Sequence, residues 1–131
     1  MTGWLIDKRA AARIDDPLVR PRLTELAGSL HICPIGELEQ LYSARSALEY
    51  DVWRDKLRAA YTLVSAPDDV LERALRLQRD LAHHHGMWHR VAIPDLLIAE
   101  TALHHGLGVV HVDADFERIA EVRPLTARRL G

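Results

Sequence analysis

Cysteine is almost absent from this chain: Cys33 stands alone among 131 residues. A single thiol forms neither an intramolecular disulfide nor a cysteine cluster for zinc, and it reads as a buried thiol in a reducing compartment. Aromatic residues make up only 5% of the chain, so Leu, Ala, Val and Ile must supply most of the packing. No apolar run reaches the roughly 18 residues that a membrane-spanning helix needs. The opening MTGWLIDKRA lacks the apolar stretch and cleavage site of a secretion signal. A large charge imbalance is missing too. The net charge of −2 gives no global basic field, so phosphate binding would have to use a local patch. These absences predict a soluble, cytoplasmic protein with no membrane partner.

What is present fits one domain over residues 1–131, with 48% hydrophobic and 27% charged residues, both ordinary for a globular core. Trp4, Leu5 and Ile6 are consecutive apolar residues ending in Asp7, as in a central strand covered on both faces. A helical pattern opens at Ala10, is punctuated by Pro17 and Pro21, and resumes over Arg22–Ala27 before Gly28. LHICPI is a second apolar run. GELEQLYSARSALEYDVWRDKLRAAY reads as one or two helices, with Leu38, Leu41 and Tyr42 at helical spacing.

TLVSAP is a third strand candidate, and Asp68 is the expected N-cap of a helix whose apolar face is Val70, Ala74, Leu77 and Leu81. IPDLLIAETALHHG predicts a helix with Pro94 in its first turn and Gly106 just past its end. GVVHVD is another apolar strand ending in an acid, DADFERIAEV holds a short helix, and PLTARRLG reads as a tail. Strands alternating with helices predict an α/β parallel sheet flanked by helices, and such sheets bind ligands outside the carboxyl ends of their strands.

Acids stand at just those places. Asp7 ends the first strand, and Asp113 and Asp115 follow the GVVHV strand. Glu39 lies in the helix after the second strand, and Asp95 lies in the first turn of the PDLLIAETA helix. Carboxylates gathered at one sheet edge repel one another, and a hard divalent cation relieves that repulsion. Read one at a time, Asp95 also suits a helix N-terminus, and Asp113 and Asp115 suit a turn.

Three stretches, LIDKRA, CPIGELEQLYSAR and IPDLLIAETALHHGLGVVHVDADFERIA, resemble the PIN domain, in particular the VapC toxins of VapBC toxin–antitoxin pairs. The likeness runs from about Trp4 to about Ile119. It implies a PIN-like parallel sheet of about four to five strands flanked by helices. It also implies a metal-dependent endoribonuclease, the toxin of a type II toxin–antitoxin pair, that cuts structured RNA of the tRNA or rRNA class with Mg²⁺ or Mn²⁺. The expected partners are a VapB-type antitoxin and a second copy of the chain. Carried over by position, Asp7, Glu39, Asp95 and Asp113 are the candidate catalytic acids, and Asp7, Asp95 and Asp113, with Asp115 beside them, the candidate metal ligands. Tyr42 and Ser43 follow Glu39 at the family's offset, and Glu37 does not keep it.

The chain departs from the pattern where Lys8 and Arg9 follow Asp7, where Gly36 opens the second helix, and where Glu100 replaces a small residue. Glu100 is expected to face away from the acidic pocket. Lys8, Arg9, Arg45, His89 and Arg90 are the candidate RNA contacts, while Arg73, Arg76 and Arg79 read as a solvated stripe.

Two other readings compete. One is a degenerate PIN fold that binds RNA or protein without cutting, favoured by Lys8 and Arg9. The other is an oxygen-ligand phosphatase, which needs an Asp-x-Asp after the first strand that LIDKRA lacks. The run LAHHHGMWHR does not suggest a metal site, because His83, His84 and His85 are consecutive and point about 100° apart on a helix.

Overall fold

The computed structural model describes residues 3–13, 15–112 and 114–130. Strand β1 (Trp4–Ile6) organises the molecule because it pairs on both sides. On one flank it runs parallel to β2 (Leu30–Ile32), with Trp4 opposite Leu30. On the other it runs parallel to β4 (Gly108–His111), with Ile6 opposite Val110. β3 (Thr62–Leu63) extends the sheet beyond β2, and β5 (Ala127–Arg129) extends it beyond β4. The result is a five-stranded, all-parallel sheet in the order β3-β2-β1-β4-β5.

The expected sheet is therefore present, with one correction: Ala127–Arg129, read from sequence as tail, is a strand. Ala-Arg-Arg carries no apolar run because an edge strand has solvent beside it and tolerates charge.

Apolar residues on both faces of a strand demand cover on both sides, and the helices supply it. Leu5 and Val109 face one core, packed with Leu77, Leu81, Ile98 and Phe116. Their neighbours Ile6 and Val110 face the other, with Ala10, Val19 and Leu23. Helices α1 (Lys8–Ala11) and α2 (Arg20–Glu25) line the second face. Helices α5 (Val70–His84), α6 (Ile93–His105) and α7 (Asp115–Ile119) line the first. The N-cap position of α5 is Asp69, not Asp68, and its carboxylate accepts from Arg73 at 2.8 Å rather than from a backbone amide.

The GELEQ segment forms two helices, α3 (Pro34–Leu41) and α4 (Ala47–Ala60). Of the apolar set expected on α3, only Leu41 is buried, while Leu38 and Tyr42 are 67% and 87% exposed. No residue of α4 is buried, and Leu48 is 76% exposed. Among the described residues no helix is long and apolar enough to cross a membrane.

The path of α6 sets where its first turn lies. Gly106 takes the left-handed conformation at φ +67°, which a side chain would strain, and closes the helix. The amide of Leu107 then donates to the Ala102 carbonyl at 2.8 Å, and β4 begins at Gly108. A helix that turns directly into a strand of the sheet runs back along it. The N-terminus of α6 therefore lies at the carboxyl edge of the strands.

Candidate functional site

Two of the expected acids, Asp7 and Asp95, are buried at that edge. Asp7 follows β1 and caps α1, its Oδ2 accepting the Arg9 amide at 3.3 Å. It is 2% exposed. Its own amide donates to the Val110 carbonyl at 3.0 Å, so the carboxylate sits where β1 and β4 end together. Asp95 lies in the first turn of α6, also buried. Its amide donates to the Ala92 carbonyl at 3.0 Å.

Glu39 is half-buried on α3, the helix that starts where β2 ends. Its Oε1 is enclosed and has no hydrogen-bond partner among the described residues. Burial pushes its carboxyl above the usual range, and the charges of Lys8 and Arg9 pull it back part of the way. Lys8 and Arg9 directly follow Asp7 at the start of α1, a helix in contact with α3. Glu37, two positions earlier, is spent elsewhere: its carboxylate accepts from Arg58 Nε at 3.3 Å.

Asp113 lies outside the described residues. Asp115 opens α7, where Oδ2 accepts the Ala92 amide at 3.2 Å and Oδ1 accepts from Arg118 at 3.4 Å. Among the described residues no group of three or more acids, histidines or cysteines is placed to hold an ion. The donor set still suits one: buried carboxylates at a single edge, one with an unsatisfied oxygen, are hard ligands for Mg²⁺ or Mn²⁺.

Of the candidate RNA contacts, Lys8 lines a cleft of about 630 Å³ shared with Gln40, Ser43, Trp53 and Lys56. Arg9 and Arg90 are exposed, and His89 is half-buried in the 3₁₀ turn Trp88–Arg90. Arg45 is also exposed, but Glu49 holds its guanidinium at 3.2 Å. Gln40 and Lys56 were not singled out from sequence. Their signal is spacing, since Gln40 follows Glu39 and Lys56 lies one turn after Trp53 on α4.

Glu100, expected to face away from the acidic pocket, is buried against Arg123, whose Nε lies at 3.6 Å; burial raises its carboxyl pKa, and the charges of Arg123, Arg73 and Arg76 pull it back part of the way. Of the stripe, Arg76 and Arg79 are exposed as expected, while Arg73 is half-buried and pairs with Asp69 at 2.8 Å. Two histidines of the run pack on the Trp88 ring. His85 stacks on Trp88 at 4.9 Å, and His84 reaches Glu121 at 3.4 Å. Helix α5 ends at His84, and Met87 takes the left-handed conformation at φ +66° before the 3₁₀ turn. Cys33 is buried as expected, and burial pushes its thiol up.

The profile of the PIN domain family matches residues 6–122. The chain is 56% identical to Ribonuclease VapC17 of Mycobacterium tuberculosis (strain H37Rv) over 124 residues, covering 95% of this chain and 92% of that one. It is 44% identical to Ribonuclease VapC21 of the same organism over 123 residues, covering 92% and 88%. The crystal structure of DNA-bound VapBC from Salmonella typhimurium shares the fold at a TM-score of 0.77, with 19% identity and 100% of both chains covered. With the PIN profile spanning both cores and more than half of its residues shared end to end with a VapC protein, this chain belongs to the PIN-domain family, in its VapC group.

Proposed function

We propose that this chain is a divalent-metal-dependent endoribonuclease, the toxin of a type II toxin–antitoxin pair, hydrolysing phosphodiester bonds in structured RNA of the tRNA or rRNA class. The observation that carries this reading is the pair of buried acids Asp7 and Asp95 at the carboxyl edge, with half-buried Glu39 on the helix after β2, in a chain so close along its whole length to a protein named a ribonuclease.

Asp7, Asp95 and Asp113 are the residues that would hold Mg²⁺ or Mn²⁺. When bound, such an ion supplies positive charge that offsets the phosphate oxygens and acidifies a water. The chain's own work is positional. Asp7 is fixed by the Arg9 amide, and Asp95 by the first turn of α6. Glu39, with its enclosed Oε1 and raised pKa, takes the proton of the attacking water. The water oxygen bonds to phosphorus, the ester P–O bond breaks, and the departing oxygen takes a proton from solvent. Lys8, Arg9, His89 and Arg90 flank the elements that carry these acids and would meet RNA phosphates.

The exposed Leu38, Tyr42 and Leu48 offer apolar area to a protein, which supports an antitoxin partner and a second copy of the chain.

The test is RNA cleavage by the purified chain, freed of any partner, with Mg²⁺ or Mn²⁺ and with chelator, repeated with Asp95→Asn. Cleavage that needs the ion and is lost in Asp95→Asn is the expected result. Cleavage indifferent to both would sink the metal-carboxylate mechanism. No cleavage of any RNA would favour a PIN fold that binds without cutting, the reading that Lys8 and Arg9 beside Glu39 favour.

A further inference from the structure

The carboxylate of Asp115 bridges two elements at the site. Its Oδ2 accepts the amide of Ala92, 23 residues away, at 3.2 Å. Ala92 is the N-cap residue of α6, and alanine has no side-chain acceptor with which to tie down the start of its own helix. The carbonyl of the same Ala92 receives the amides of Asp95 at 3.0 Å and Leu96 at 3.3 Å. Asp115 therefore grips the peptide on which the first turn of α6, and Asp95 with it, is hung.

A second hold lies alongside. Arg118, one turn into α7, donates to Asp115 Oδ1 at 3.4 Å and lies with its Cζ 5.8 Å above the Trp88 ring. Trp88 opens the 3₁₀ turn that leads into α6, and His85 stacks on the same ring. Through these two holds α7 fixes the approach to α6 at Trp88 and its start at Ala92. Val91, between them, is buried.

We propose that Asp115 is a positioning residue: it latches the N-terminus of α6 so that Asp95 is held at the carboxyl edge, and it does so through the Ala92 amide rather than by ligating the ion itself. This rests on the reading of Asp95 as a metal ligand. The acceptor is what matters for such a latch, not the negative charge. An asparagine at 115 can still accept the Ala92 amide through its Oδ1, whereas an alanine cannot.

The donor can be removed independently. Ala92 has φ −56° and Val91 before it is extended at ψ 138°, both compatible with proline at 92. Ala92→Pro deletes the amide hydrogen and leaves the Asp115 carboxylate in place.

The experiment measures Mn²⁺ affinity by calorimetry and RNA cleavage for the full chain and four variants, with circular dichroism to verify folding. Asp95→Asn is expected to lose Mn²⁺ binding. Asp115→Ala and Ala92→Pro are expected to weaken it about tenfold, the usual cost of losing a group that orients a ligand, and Asp115→Asn to restore it to within about twofold of wild type. Should Asp115→Ala fail to fold, Asp115→Asn and Ala92→Pro decide the matter between them. Asp115→Asn matching Asp95→Asn, or Ala92→Pro binding Mn²⁺ as wild type does, overturns the latch. A wild-type chain that neither takes up Mn²⁺ nor cuts RNA overturns the functional reading and the latch with it. A wild-type chain that does both while Asp115→Asn fails overturns the latch alone.

Discussion

Asp95 and Glu100 sit five positions apart on α6, each 5% exposed, yet they answer to different neighbours. Glu100 faces the flank where Arg123 approaches at 3.6 Å and where Arg73 and Arg76 add positive charge. Arg123 also donates to Asp80 at 2.8 Å, so this cluster ties the segment after α7 to α5. Asp95 occupies the first turn, where the helix dipole favours an anion, at the edge that also receives Asp7 and Glu39. A buried acid ringed by arginines holds a fold together. Asp95, under the function proposed above, would instead share a cation with other acids of the carboxyl edge. Burial alone does not separate the two roles.

The sharpest break of this comparison comes from removing charge at both positions. Asp95→Asn is expected to lower metal-dependent RNA cleavage by at least about 100-fold, because a ligand is lost. Glu100→Gln is expected to leave the rate per folded molecule within about threefold, since it touches no candidate ligand. Equal losses in a cleavage time course would erase the distinction.

Arg123→Ala reverses the order, striking the structural cluster and sparing the edge. It leaves Glu100 buried without its nearest cation and Asp80 without its partner. Urea denaturation is expected to show a loss of about 2–3 kcal/mol, somewhat below the usual cost of breaking a buried pair because Arg123 keeps partial solvent contact.

Glu39→Gln tests whether the edge is held at the expense of stability. Burial raises the Glu39 pKa above its ordinary 4.5. Folding therefore favours the protonated form, and the wild type loses stability as pH rises from about 4.5 through the folded value. The glutamine carries no such charge. Its melting temperature is expected to exceed that of the wild type at neutral pH, with the gain fading as pH falls toward 4.5, while cleavage falls. A melting temperature unchanged across that window would count against the buried charge. The smallest effect is expected at Arg45, exposed and paired with Glu49. Arg45→Ala should leave the melting curve unmoved and slow cleavage by less than about threefold.

Much of this fold was legible in the chain. Trp4–Ile6 and Gly108–His111 announce central strands because both of their faces are buried, and such strands are apolar without alternation. Pro94 and Gly106 mark the two ends of α6. The offset that selects Glu39 over Glu37 is read from sequence alone; that Arg58 engages Glu37 is not. Less legible were β5, whose Ala-Arg-Arg carries no strand pattern, and the exposure of Leu38 and Tyr42, which helical spacing alone reads as core. Asp115 reads as another acid after a strand. Nothing local indicates that its oxygen reaches Ala92.

The amino-acid sequence by itself determined the layering of this protein. The alternation of apolar runs with helical periods implies a parallel sheet, and a parallel sheet sends the residues after β1, β4 and before α6 to one edge. That is an argument from period and order, which a linear chain carries in full. Only the tertiary structure decided which charge meets which: Arg123 with Glu100, Asp115 with the Ala92 amide, Glu39 with the field of Lys8 and Arg9. Ion pairs and hydrogen bonds act over a few ångströms between residues that lie tens of positions apart, and no periodicity along the chain records those distances.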